Sequence, residues 1–139
     1  MVTNVANGDA LKERALKAVQ SLPELASGND ILAHAGRYVS LAFLVSVGGH
    51  PCFVPVDQGR VVKVETDAQK MRASTFAIAA EPDAWDRFWQ AMPAPGWNDL
   101  FAMNKRGNAT IEGNLLPFMQ NLQFFKDVMA LPRQTWAVK

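Results

Sequence analysis

The chain has 139 residues, of which 49% are hydrophobic and 19% charged, and this length can bury the core of one domain without metals or disulfides. Lys and Arg total 14 and Asp and Glu total 13, so the formal net charge is only +1. This balance excludes the strong positive field on which binding to nucleic acid or to an anionic membrane depends.

Three features of the sequence indicate a soluble protein of the cytoplasm. Cys52 is the only cysteine, so no internal disulfide can form. The polar start, residues 1–9, lacks the basic and then apolar segments of a secretory signal. The longest apolar stretch, residues 39–47, is interrupted by serines and is too short to cross a bilayer.

The chain begins with a predicted helix and a short connector. Between Asp9 and Leu22, apolar residues recur at steps of three and four and polar residues occupy the opposite side, which predicts an amphipathic helix. Asn7 or Asp9 can cap its start, and Pro23 is expected to end it. A further short helix is predicted over residues 30–35.

Three strands are predicted next, joined by glycine-containing turns. Residues 37–47 alternate between firmly apolar and other side chains, which is the period of a strand with one apolar face. A second strand over residues 52–56 and a third over residues 60–65 would complete an antiparallel meander. Pro51 and Pro55 lack the N–H that a strand ladder uses, so the second strand is expected to be irregular or an edge.

The next part of the chain alternates strands with helices. A fourth strand is predicted over residues 74–79 and a fifth over residues 108–112. Pro82 favours the start of a helix that ends before a proline-rich break. A second helix is predicted over residues 97–105, with Gly107 in a left-handed conformation after its end. The helix at Pro82 carries an apolar stripe formed by Ala84, Trp85, Phe88, Trp89 and Met92.

The last predicted helix, from Leu115 to Leu131, is apolar on two sides, and Asn114 is expected to be its N-cap. One stripe can pack on the sheet, whereas the other needs a helix, a partner subunit, a membrane or a ligand. Completion of the core would explain this second stripe, whereas a tunnel would leave its side chains partly unpacked. The first stripe contains Leu115, Phe118, Met119, Leu122, Phe125 and Met129, and the second contains Phe124, Val128 and Leu131.

The last third of the chain is rich in the side chains that line adaptable apolar cavities. Aromatic and methionine residues are concentrated in the helix at Pro82, in the helix that follows it and in the last helix. Their apolar surface exceeds what a short sheet needs to cover it. The residues expected to bind an apolar ligand are Trp85, Trp89, Phe101, Met103, Met119, Phe124, Phe125, Val128 and Met129.

Residues 106–114, with the sequence Arg-Gly-Asn-Ala-Thr-Ile-Glu-Gly-Asn, resemble a signature of the sterol carrier protein 2 family. In that family a basic residue and a glycine precede a short strand, after which Gly and Asp or Asn open a C-terminal helix. Leu115, Leu116 and Met119 continue the resemblance, whose layout extends over residues 9–131. The prolines of the second strand and the proline-rich break depart from the family and leave the identity of the ligand open.

The resemblance implies an α+β fold in which a five-stranded, largely antiparallel sheet is covered on one side by helices. It implies a single domain over residues 1–139, with a core at about residues 9–131. It also implies an apolar tunnel that holds a fatty acyl, sterol or isoprenoid-type lipid. Transient contact with a membrane is compatible with that role, and the oligomeric state stays open. The last three residues lack a peroxisomal address, so the peroxisomal role of some members is not carried over.

Few residues offer the chemistry of a catalytic centre. His50 and Cys52 flank a proline and could form an activated thiol, but an exposed turn residue and a packed strand residue explain them more simply. Two histidines and one cysteine do not supply a metal site. Asp83 and Asp86 lie near a helix start, where acids favour the helix dipole. Lys126 is expected to reach solvent, with a ligand carboxylate or head group as the alternative.

The sequence therefore predicts a carrier that buries an apolar ligand in an internal tunnel, with no cofactor and no catalytic activity. A first alternative is an accessory module, in which the second stripe docks on a partner enzyme or on a second copy of the chain. A second alternative is a small lipid-modifying enzyme that uses His50 or Cys52. A ligand cavity would separate the carrier from the module, and loss of activity in Cys52→Ser would support the enzyme.

Overall fold

The computed structural model describes residues 2–66 and 74–136, with side-chain environments from residue 10 onward. These residues form the predicted α+β arrangement of strands and helices. The strands are β1 (Leu41–Val47), β2 (His50–Asp57), β3 (Arg60–Val61), β4 (Phe76–Ala80) and β5 (Ala109–Gly113). The helices are α1 (Val2–Gln20), α2 (Leu22–Ala26), α3 (Asp30–Ala35), α4 (Pro82–Phe88), α5 (Leu100–Lys105), α6 (Leu116–Gln120), α7 (Leu122–Ala130) and α8 (Arg133–Trp136).

The five strands form an open mixed sheet in the order β3-β2-β1-β4-β5. β1, β2 and β3 form the predicted antiparallel meander, and β4 pairs antiparallel with β5. β4 lies beside β1 and runs parallel to it, with Phe43 opposite Phe76. The prediction of a five-stranded, largely antiparallel sheet is confirmed.

Pro51 and Pro55 lie within a continuous strand, so the expectation that β2 is irregular or an edge is wrong. β2 lies between β1 and β3. The backbone N–H and C=O of Phe53 bond to Glu65 at 2.7 and 3.0 Å, so they point away from β1. Residues two positions away point their nitrogens in the same direction. Each proline therefore lacks an N–H only on the sparsely paired side of β2, where the loss costs little.

Side chains alternate between the two faces of the sheet, and helices cover one face. On the covered face, Phe43 and Phe76 stack with their ring centroids 5.1 Å apart, and both meet Phe125 of α7 edge-on. Phe118 of α6 adds a contact with Phe76 at 5.1 Å. Side chains on the opposite face, such as Leu44, are only half-buried. Ring contacts therefore fix the C-terminal helices on the centre of the sheet.

α1 starts well before the predicted caps at Asn7 and Asp9, which lie inside the helix, so this expectation is wrong. Residues 2–8 contain no proline that would stop the helix from extending in this direction. Ala15 and Val19 are fully buried, in agreement with the predicted apolar side. Pro23 lies in the first turn of α2, where its missing N–H costs no helical hydrogen bond.

The two helices after β4 are shorter than predicted, and this removes Met92 from the core. α4 ends at Phe88 with Trp89 as its C-cap, and Met92 is 91% exposed beyond it. The expected place of Met92 in the apolar stripe is wrong because the chain leaves the helix before reaching it. α5 begins later than predicted because Asp99 caps it, and Gly107 follows its end in the expected left-handed conformation, with φ +80°.

The last predicted helix consists of two helices, α6 and α7, that meet at Asn121. Asn121 has φ −125° and ψ 36°, and its side-chain amide donates to the carbonyl of Pro117 at 3.0 Å. This local side-chain bond competes with the helical path, so the prediction of one continuous helix is wrong. Leu115 rather than Asn114 is the N-cap, but the Asn114 side chain still accepts the N–H of Leu116 at 3.3 Å.

Candidate functional site

Most of the predicted ligand residues lie in the buried core between the sheet and the helices. Of the nine, Phe101 is half-buried and Met119 is 53% exposed, so Met119 lies outside the core. The other seven are at most 2% exposed and pack closely against their neighbours. These seven are Trp85, Trp89, Met103, Phe124, Phe125, Val128 and Met129.

The two apolar stripes of the C-terminal helices are buried against different neighbours. The first stripe meets the sheet, where Phe118 and Phe125 contact phenylalanines of β1 and β4. The second stripe meets the end of α3, where the ring of Phe124 packs on Gly36 and leaves no room for a Cβ. Phe124 and Val128 are 2% and 0% exposed, so the unpacked surface expected of a tunnel is absent from these two side chains.

Tryptophans extend the apolar core, and their indole N–H groups are hydrogen-bonded. Trp85 stacks on Trp89 with a centroid distance of 5.1 Å, and Trp136 lies 5.1 Å further on. Trp89 donates to the carbonyl of Met129 at 2.8 Å, and Trp136 donates to the Asp86 carboxylate at 2.8 Å. The bond from Trp89 is buried and joins α4 to α7, which fixes the spacing of these two helices.

A cavity formed by described residues touches α7, and we call it the α7 cavity. Its volume is about 150 Å³, and it lies between the end of α4, the start of α5, α7 and the start of α8. Phe88 and Leu100 form its apolar wall and are only 2% and 1% exposed, whereas six of its nine lining residues are polar or charged. None of the nine predicted ligand residues lines this cavity, but Phe88 contacts Trp85 at 5.7 Å. The cavity therefore adjoins the aromatic core.

Lys126 links α7 to α5 at the rim of the α7 cavity. Its Nζ lies 2.7 Å from Asp99 Oδ1 and 5.3 Å from the ring centre of Phe101. Its side chain is 29% exposed, so the expectation that Lys126 reaches solvent is met only in part. The ion pair is partly exposed to solvent, and such pairs contribute at most about 1 kcal/mol to stability.

Arg133 forms another part of the rim, and sequence reasoning did not single it out. Its Nε donates to the carbonyl of Phe88 at 2.8 Å, and its Nη2 donates to the carbonyl of Asn98 at 3.2 Å. The guanidinium also lies 4.5 Å from the ring centre of Phe88. Burial lowers the pKa of Arg133. Its partners are 45 and 35 residues away in sequence, so no local pattern could have indicated them.

The candidate catalytic groups are placed where their chemistry is constrained. Cys52 is fully buried, and burial raises the pKa of its thiol to about 11, so the thiolate that a nucleophile requires is not formed at neutral pH. His50 Nε2 lies 3.1 Å from the carbonyl of Thr66. Asp83 pairs with Arg87 at 3.4 Å. Among the side chains of residues 10–66 and 74–136, no group of three or more His, Cys, Asp or Glu could hold a metal ion.

The sheet order and the helices on its covered face define the class of fold. An open five-stranded sheet with helices on one face and C-terminal helices on its centre is the sterol carrier protein 2 fold. Residues 106–114, which carry the resemblance, run from the end of α5 through β5 toward α6, as that resemblance implies. None of the described helices is long and apolar enough to cross a membrane.

Comparison with known proteins confirms the predicted resemblance at the level of fold. No family model matches the sequence, and no curated protein matches it significantly. A crystal structure of sterol carrier protein 2 matches with a TM-score of 0.62 and 12% identity, over 85% of this chain and 95% of that chain. A structure described as the ubiquinone synthesis protein UbiJ-SCP2 matches with a TM-score of 0.55 and 13% identity, over 86% and 89%. A conserved hypothetical protein from Thermus thermophilus, whose description suggests a sterol carrier protein, matches with 0.55 and 14%, over 84% and 86%.

Proposed function

We propose that this protein binds a fatty acyl, sterol or isoprenoid-type lipid between α7 and the helices α4 and α5, and carries it without catalysing a reaction. The observation that carries the proposal is the α7 cavity, whose apolar wall of Phe88 and Leu100 adjoins the buried aromatic core. Solved structures with the same fold are described as sterol carrier protein 2 and as a suggested sterol carrier protein, which supports the same class of ligand.

Contacts around the α7 cavity connect it to several of the predicted ligand residues. Trp89 of α4 bonds to the carbonyl of Met129 on α7. Phe101 of α5 lies between Lys126, at 5.3 Å, and Phe118, at a ring distance of 5.7 Å. The three helices therefore share aromatic and thioether side chains, which adapt to ligands of varied shape.

Entry of a ligand requires α5 and the end of α4 to move away from α7, because the side chains between them are packed. α4 and α5 have seven and six residues, and helices this short depend on packing rather than on their own stability. The Asp99–Lys126 pair holds α5 on α7 only from the surface, so its opening costs little. The tight contact of Phe124 with Gly36 makes the α3 side of α7 the less favourable route.

Burial of the hydrocarbon supplies the driving force for binding. Each CH₂ group removed from water contributes about 0.8 kcal/mol. A long acyl chain offers many such groups, and their burial offsets the cost of separating α5 from α7. A short or strongly polar ligand does not, so the proposal is restricted to lipids.

The proposal of a carrier without catalysis is supported by the state of the titratable groups. The Cys52 thiol is buried, with a pKa of about 11, and faces the covered side of the sheet. Asp83 forms an exposed ion pair with Arg87, and the Asp86 carboxylate accepts a bond from Trp136. These carboxylates are engaged in contacts that support α4, which is a structural role.

Displacement of a fluorescent acyl probe tests the proposed function. The probe should bind and should be displaced by unlabelled fatty acid with micromolar affinity or better. Met92→Ala serves as the control, because Met92 is 91% exposed outside the core and its loss should leave binding unchanged. Absence of probe binding at every concentration below the aggregation limit of the probe would refute the proposal and favour docking on a partner protein.

A further inference from the structure

The α7 cavity contains one cation without an acidic partner among the described residues. Lys126 pairs with Asp99 at 2.7 Å. The Asp127 carboxylate accepts a bond from the side chain of Gln123 at 2.8 Å. Arg133, in contrast, donates only to neutral carbonyls, and no ion pair of Arg133 occurs within residues 10–66 and 74–136, whose side chains the structure describes. Arg133 is therefore the cation of this cavity that has no carboxylate within ion-pair distance among those residues, although the Asp127 carboxylate also lines the cavity.

Partial burial makes the unpaired charge of the Arg133 guanidinium unfavourable. Burial lowers the pKa of Arg133 because the guanidinium has lost part of its contact with water. Its bonds to Phe88 and Asn98 use Nε and one N–H of Nη2. The N–H groups of Nη1 and the second N–H of Nη2 remain as hydrogen-bond donors. A guanidinium fork of this kind matches a planar carboxylate.

We infer that the α7 cavity binds the carboxylate of an acyl ligand, with Arg133 as its first partner and Lys126 as its second. The inference rests on the proposed function, because it requires an apolar chain attached to the carboxylate. The cavity volume of about 150 Å³ corresponds to roughly five water molecules. This space suits a carboxylate and its first methylene groups, and the rest of the chain has to enter the core.

The walls of the α7 cavity favour entry of the acyl chain into the core. Phe88 and Leu100 line the cavity together with the charged residues of its rim, and both are almost fully buried. Behind them, Trp85 and Trp89 stack at 5.1 Å, so a chain that passes Phe88 reaches the aromatic core. A charged rim above an apolar wall is the arrangement that orients an amphipathic ligand with its head group outward.

The ratio of two affinities separates this role of Arg133 from a structural one. Palmitic acid and hexadecanol have chains of equal length, but only the acid carries a charge. Each is measured by displacement of the acyl probe from the intact protein, in wild type, Arg133→Gln and Lys126→Gln. Arg87→Gln is the matched control, because Arg87 is an exposed arginine of α4 outside the cavity.

The wild type should bind palmitic acid about tenfold more tightly than hexadecanol, which is the usual order for one charge-assisted hydrogen bond. The ratio should fall toward one in Arg133→Gln, fall less in Lys126→Gln and stay unchanged in Arg87→Gln. Loss of structure alone would weaken both ligands and leave the ratio unchanged. If Arg133→Gln does not fold, Arg133→Lys keeps the charge without the fork and should lower the ratio in part.

Two results would overturn the inference, and they differ from each other. Equal binding of acid and alcohol in the wild type would rule out the carboxylate site but not the carrier function. An unchanged ratio of the two affinities in folded Arg133 variants would have the same meaning. Binding of neither ligand in the wild type would overturn the proposed function as well.

Discussion

Two phenylalanines distinguish the wall of the proposed ligand site from the fixed core. Phe124 is 2% exposed and packs between Phe125, at a ring distance of 5.2 Å, and the backbone of Gly36. Phe124→Ala should therefore cost about 3–5 kcal/mol, as for a phenylalanine in a filled core. Phe101 is half-buried beside Lys126, whose Nζ lies 5.3 Å from its ring centre, so Phe101→Ala should cost about half as much.

The effects of the two variants on ligand affinity should have the opposite order to their effects on stability. Phe101→Ala should weaken acyl-probe binding by about tenfold, since roughly 1.4 kcal/mol is lost with part of a ligand contact. Phe124→Ala should leave the affinity of the folded fraction unchanged, because Phe124 faces α3 rather than α5. Urea unfolding followed by tryptophan fluorescence gives the stabilities, and probe titration gives the affinities. A loss of affinity in Phe124→Ala with none in Phe101→Ala would refute the placement of the site and assign it to the second stripe.

Further predictions concern the local structure around Asn114, Gly36 and Cys52. Asn114→Ala should lower stability by about 0.5 kcal/mol, the lower end for a capping residue, because its bond to Leu116 is long at 3.3 Å; an unchanged urea midpoint would show that this bond contributes nothing. Gly36→Ala should lower stability by about 1–3 kcal/mol through overpacking against Phe124, and a stability equal to wild type would contradict the tight α3–α7 contact. Cys52 should react with iodoacetamide at neutral pH far more slowly in the folded than in the unfolded protein; equal rates would contradict its burial. Because its pKa rises from 9.0 to about 11 on folding, the folded state favours the neutral thiol, and its contribution to stability should fall as pH rises through this range.

The strands could be predicted from the sequence because their signal is local. Alternation of side chains over residues 37–47 identified β1 and its buried face, and glycine turns identified the meander. The parallel pairing of β4 with β1 could not be predicted in the same way, because it joins residues far apart in sequence. Pro51 and Pro55 were misjudged for a related reason: the cost of a proline depends on which neighbour its nitrogen faces, and that is known only once the sheet is assembled.

The candidate site was predicted only in part. Apart from the exposed Met119, apolar spacing identified the two stripes on the C-terminal helices, but it could not indicate that one meets the sheet and the other meets α3. At the break between α6 and α7, the Asn121 side chain bonds to the carbonyl of Pro117, and no periodicity of the sequence reveals this contact. Arg133 joins the α7 cavity through contacts with distant carbonyls, so its role becomes visible only in the folded chain.

Native mass spectrometry shows by direct detection whether this chain binds a lipid. The protein is purified without detergent from its own host and measured as purified and after addition of palmitic acid. We expect a one-to-one complex whose added mass corresponds to a lipid in the first sample or to palmitic acid in the second. Detection of the bare polypeptide alone in both samples would contradict it.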